Sequence, residues 1–183
     1  MIPLNLEPFI FDCEVFAYDW LFVFKNKVTG EYTEIWNDNE AVEQFMTQEP
    51  LLAGFNNKHY DQFILKAVLS GFTPEEIKAV NDFIIVGGHE GWEYAPLRDC
   101  GIFFDQYDLM DDCQMGLSLK AIEAHLGMDI RETTVPFNID RSLTEDEKRE
   151  VEFYCRHDVD ATDRLDDLRQ GYLSSKLTLG REK

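Results

Sequence analysis

The chain has 183 residues, enough for one domain with a full core and too few for two ordinary ones. A composition of 44% hydrophobic and 13% aromatic residues, with 14 phenylalanines, excludes a disordered acidic segment and predicts a packed, Phe-rich core. The formal charge of −19, from 36 acidic against 17 basic residues, argues against a phosphate-binding surface unless bound divalent cations reverse the local field; affinity for nucleic acid from this chain alone is expected to be weak.

Residues 8 to 36 predict three strands: an apolar run to about Phe16, a second from Trp20 to Phe24, and a third from Tyr32 to Trp36. Gly30 in NKVTGE marks a hairpin between the last two, so an antiparallel meander opens the fold. Asp38 caps a helix over Glu40 to Met46, and the short buried run Leu51 to Phe55 reads as a strand parallel to the first. Asp61 then opens a helix that ends before Gly71, and Thr73 with Pro74 starts another. Residues 84 to 101 are irregular and Gly-rich, followed by a strand candidate over Ile102 to Leu109. Ser118 caps a helix to Leu126 ended by Gly127, and Thr144 with Glu147 forms a capping box for a long helix towards Tyr172. Three strands followed by alternating helix and strand suggest a mixed α/β sandwich over residues 1–172, with 173–183 a polar tail that reads as a linker to a further segment.

The N-terminus lacks a basic segment, and Glu7, Asp12 and Glu14 interrupt its apolar run, so neither a signal peptide nor a membrane span is expected. Cys13, Cys100, Cys113 and Cys155 show no CxxC spacing, which reads against a disulfide framework or a zinc site and fits a reducing cytoplasm.

Four carboxylates stand out. Asp12 and Glu14 in FIFDCEVF lie at i and i+2 on a strand and project to one face, where apolar flanks make unpaired acids costly. Asp61 ends an NxxYD stretch with Asn57 and Tyr60, and Tyr154 and Asp158 lie one turn apart on the last helix. Each stretch also has a plain structural reading: Asp61 suits a helix N-terminus, Asn57 a turn, and many surface helices carry Tyr and Asp four apart. Their combination in one chain is a carboxylate cluster that wants cations.

The order DxE, Nxx(F/Y)D, YxxxD resembles the three exonuclease motifs of the DEDD superfamily. The closest likeness is to the proofreading 3′–5′ exonuclease domains of family B DNA polymerases, among them the small phage enzymes of the protein-primed type, and it spans about Phe9 to Leu168. The histidine subclass places its histidine five residues before the last Asp, where Phe153 stands, so the tyrosine subclass fits. His157 then reads as an exposed helix residue or a neighbour of the site.

The resemblance implies a ribonuclease H-like fold, a mixed five-stranded sheet flanked by helices. It also implies two divalent cations, Mg²⁺ or Mn²⁺, ligated by Asp12, Glu14, Asp61 and Asp158, with Tyr154 orienting the attacking water and Asn57 and Tyr60 touching single-stranded DNA. Lys120 resembles a lysine that assists catalysis in the protein-primed subgroup, whereas Val15 stands where family members often carry threonine. The expected activity is release of nucleoside 5′-monophosphates from DNA 3′ ends as the proofreading part of a phage or prophage polymerase, whose polymerase domain would be a partner in cis or in trans. Two alternatives accompany it: an exoribonuclease of the same superfamily, and a catalytically silent domain whose acidic face binds a basic partner.

Overall fold

The computed structural model describes residues 7–113, 118–129 and 131–181, with side chains described as far as residue 171. Strands β1 (Phe9–Val15), β2 (Trp20–Asn26) and β3 (Tyr32–Trp36) form the expected meander, with Gly30 at φ 76° in the turn, a left-handed conformation that glycine adopts at little cost. Helix α1 (Asn39–Met46) leads to β4 (Leu52–Gly54), and α2 (Asp61–Leu69) and α3 (Pro74–Ile85) follow. Next come two 3₁₀ turns (Gly91–Glu93, Ala95–Leu97), β5 (Gln106–Asp108), α4 (Leu119–His125) and α5 (Glu145–Arg181).

The strands make one sheet in the order β3-β2-β1-β4-β5; β1 pairs antiparallel with β2 and parallel with β4, and β5 runs parallel to β4. The chain is therefore α/β, with a mixed five-stranded sheet flanked by helices. No helix among the described residues is long and apolar enough to cross a membrane.

Strand β2 reads WLFVF without polar interruption because both of its faces are covered. Trp20, Phe22 and Phe24 join Phe11, Val42, Phe45, Ile64 and Val80 in the core beneath α1, α2 and α3. Leu21 and Val23 point the other way, to Ile10, Val151, Cys155 and Val159 beneath α5. The phenylalanines stack as a file across the first core, Phe22 to Phe24 at 5.7 Å and Phe24 to Phe45 at 4.0 Å between centroids. Complete burial of each such ring contributes roughly 1.5–3 kcal/mol relative to exposure.

The helix starts follow their caps. Asp38, Thr73 and Ser118 accept from Ala41, Glu76 and Ala121 N–H, and the Thr144–Glu147 box is closed in both directions. Two expectations shift. β5 covers only Gln106–Asp108 of the run 102–109, because its partner β4 offers three residues and Phe103, 88% exposed, has no sheet to pack on. α5 also continues beyond Tyr172 to Arg181, through residues whose polarity reads as a tail.

Helix α5 is fastened across the sheet by charge as well as by its apolar stripe. Lys25 on β2 and Lys27 just beyond its end reach Asp163 at 2.8 and 2.6 Å, and Lys27 reaches the fully buried Asp166 at 3.0 Å. Tyr107 on β5 donates to Asp166 at 2.7 Å, so strands from both halves of the sheet hold this helix. That fixes the face of α5 turned to β1.

Candidate metal centre

β1 pairs with β4 only at Phe9↔Leu52 and Ile10↔Ala53, and β4 ends at Gly54. Among the described residues the second half of β1 therefore has no strand neighbour on that side. This leaves an open corner at the carboxyl ends of the parallel strands, the place where open α/β sheets carry their sites. Gly54 suits the close packing there: a Cβ on it would come to 3.1 Å from the Phe11 ring and from Asn57, tighter than ordinary contact.

The alternation of β1 sends Phe11 and Cys13 into the core under α2 and α3 and turns Asp12 and Glu14, with Ile10, towards α5. Asp61 in the first turn of α2, only 4% exposed, arrives at the strand edge from the other layer. It accepts from the Cys13 thiol at 3.1 Å and lies within hydrogen-bonding reach of the Asp12 carboxyl. From α5, Cys155 sits 3.7 Å from Asp12 Oδ2, and one ligand atom from each of Asp12, Glu14 and Cys155 lies within 4.8 Å of the others. Asp158, one turn on, completes the acidic set.

The acids repel. Burial first, then the charges of Asp61, Glu14 and Asp158, push the Asp12 carboxyl well above the usual carboxylate range. Burial and the neighbouring Asp158 and Asp61 raise Glu14 to about 8, with Lys120 opposing. Burial takes Asp61 to about 6 against the lowering hydrogen bonds from Cys13 and Asp12, and it raises Asp158 despite the Lys120 ammonium. Burial and the same carboxylates drive both thiols up, so Cys13 and Cys155 act as neutral donors to the acids. Carboxylates held together at this cost suit a divalent cation, and oxygen donors suit Mg²⁺ or Mn²⁺. Asp12, Glu14, Asp61 and Asp158 are the residues that could hold such ions.

Beside them Glu14, Tyr154, Asp158 and Lys120 share a cleft of about 250 Å³ with Arg131, Glu132, Thr133 and Phe137. Lys120, at the start of α4, donates to Asp158 Oδ1 at 2.5 Å and to the Arg131 carbonyl at 2.9 Å. Thus six of the eight residues singled out from sequence meet at one corner. Asn57 and Tyr60 are placed differently. Asn57 is fully buried, its amide donating to Gln106 Oε1 at 3.0 Å and to the Tyr107 carbonyl at 3.2 Å, which ties the β4–α2 loop to β5. Tyr60 packs its ring against the first core and donates its hydroxyl to Asn81 at 2.5 Å. In this conformation both serve the interior. His157 is not an exposed helix residue: its side chain is 20% exposed and Nε2 meets the Asp129 carbonyl at 2.6 Å.

Sequence reading missed Cys155, Arg131, Thr133, Phe137 and the buried Glu123. Cys155 had a signal, since it lies three residues before Asp158 on the same helical face. Glu123 had one too, three residues after Lys120. Arg131, Thr133 and Phe137 lie in an irregular connection with no periodicity to read. Comparison with protein-family models, curated proteins and solved structures found no match to the chain.

Proposed function

We propose that this chain is a metal-dependent 3′–5′ exonuclease of the DEDD type, tyrosine subclass, with a ribonuclease H-like fold, acting on single-stranded DNA ends in the manner of a polymerase proofreading domain. The observation that carries the reading is the convergence of Asp12, Glu14, Asp61 and Asp158, from a strand and two helices on opposite layers, beside a cleft that also holds Tyr154. Strand order and direction, with the acids at the open corner of β1, support the fold assignment.

Asp12 and Glu14 present paired oxygens from one strand face, Asp61 closes the set from α2, and Asp158 closes it from α5. When bound, two divalent cations supply charge stabilisation to the phosphodiester and lower the pKa of water. Tyr154, on the cleft wall one turn before Asp158, directs a water lone pair at phosphorus by hydrogen bonding. The new P–O bond comes from that water, the bond to the 3′ oxygen breaks, and that oxygen leaves with a proton as the hydroxyl of the shortened strand. Lys120 and Arg131 put positive charge on a rim that is otherwise acidic.

The test is degradation of matched DNA and RNA single strands in Mg²⁺. Wild type is expected to shorten the DNA strand, and Asp12→Ala to lose that activity to background while keeping its circular dichroism. Cleavage undiminished in Asp12→Ala would sink the assignment; preference for the RNA strand would move the substrate to RNA.

A further inference from the structure

Glu123 lies next to the proposed centre and has no place in the mechanism above. It is 1% exposed, and neither carboxylate oxygen makes a hydrogen bond among the described residues. A buried acid left that way is costly. Its nearest basic groups are Lys120 Nζ, 3.4 Å from Oε2, and His157 Nε2, 3.4 Å from Oε1, while the Asp158 carboxylate is close enough to repel it. The His157 nitrogen is directed at the Asp129 carbonyl, 2.6 Å away, and a carbonyl only accepts, so that N–H is already used. Lys120 is the group left to answer the acid.

The ammonium has three N–H donors. One goes to the Arg131 carbonyl and one to Asp158 Oδ1. The second draws on Asp158 Oδ1 and leaves Oδ2 open, so while it lasts Asp158 has one uncommitted oxygen, not two, to offer a cation. Glu123, three residues further along α4, is a second carboxylate within reach of the same flexible side chain, and rotation of the lysine by about 1 Å is enough to turn a 3.4 Å approach into a charge-assisted hydrogen bond.

We infer that Glu123 is a positioning residue: it takes the Lys120 ammonium off Asp158 as a divalent cation is bound, freeing the Asp158 carboxylate while keeping the lysine at the cleft. The inference rests on the metal-centre reading, and it gives α4 the task of holding both the lysine and its alternative partner.

Calorimetric titration of Mn²⁺ into the full chain tests it, in wild type, Glu123→Gln, Glu123→Asp, Lys120→Met and the Lys120→Met/Glu123→Gln double variant, with thermal melts as the check on folding. Glu123→Gln is expected to weaken Mn²⁺ binding by about tenfold, within the range seen when groups supporting metal ligands are removed. In the Lys120→Met background the same change is expected to cost less than about twofold, because the two residues act as a pair. Glu123→Asp, which keeps a carboxylate on that turn, is expected to retain more affinity than Glu123→Gln. Equal losses with and without Lys120, or no loss in Glu123→Gln, would overturn the role of Glu123 alone. Absence of Mn²⁺ binding by wild type would overturn the metal centre and this role with it.

Discussion

At the scale of single residues, Glu14 shows the cost of assembling the centre. Its carboxyl is raised from 4.5 to about 8, chiefly by burial and then by Asp158 and Asp61. Between those two pH values the unfolded chain has released the proton and the folded protein still holds it. Stability from this group is therefore complete below about pH 4.5 and is lost as pH rises towards 8. In metal-free protein the melting temperature is expected to fall across that window, and Glu14→Gln to flatten the fall; a profile unchanged by the substitution would mean that Glu14 titrates normally. Asp12 and Glu14 were legible in the sequence because a strand fixes the direction of i and i+2, and Asp158 with Tyr154 because a helix fixes i and i+4. Asn57 and Tyr60 show where such reading stops. Their spacing from Asp61 is visible, but that Gln106 takes up the Asn57 amide N–H and Asn81 the Tyr60 hydroxyl depends on tertiary packing that no local pattern encodes.

At the scale of elements, the local signals and the fold agree wherever a cap or an alternation is complete, as at Thr73, Ser118 and Thr144. They part where pairing is decided elsewhere: β5 is as long as β4 allows, not as long as its own apolar run. The same holds for α5, whose attachment to β2 and the turn after it through Lys25 and Lys27 joins residues more than a hundred positions apart. Lys27→Met removes the ammonium and leaves Asp166 buried with only hydroxyl and amide partners among the described side chains. That substitution is expected to cost about 3 kcal/mol in urea unfolding, as when one member of a buried pair is deleted. Phe24→Ala, which opens the middle of the aromatic file, is expected to cost about 3–5 kcal/mol. A loss under about 1 kcal/mol for either would contradict the packing described.

At the scale of the whole molecule, a formal charge of −19 and a candidate nuclease site are compatible only if cations are part of the working protein. Mn²⁺ at about a hundredfold excess over its Kd is expected to stabilise the fold by about 2.7 kcal/mol, through binding to the folded state alone. The remaining acidity disfavours tight capture of a phosphate backbone and suits a chain whose substrate is delivered by something else. The most direct measurement compares one DNA single strand labelled at its 5′ end with the same strand labelled at its 3′ end, each with Mg²⁺ and with EDTA. The expected result is a descending ladder from the 5′ label and immediate release of a labelled mononucleotide from the 3′ label, both only with Mg²⁺. Intact strands in Mg²⁺, or cleavage that proceeds equally in EDTA, would contradict a metal-dependent 3′–5′ exonuclease.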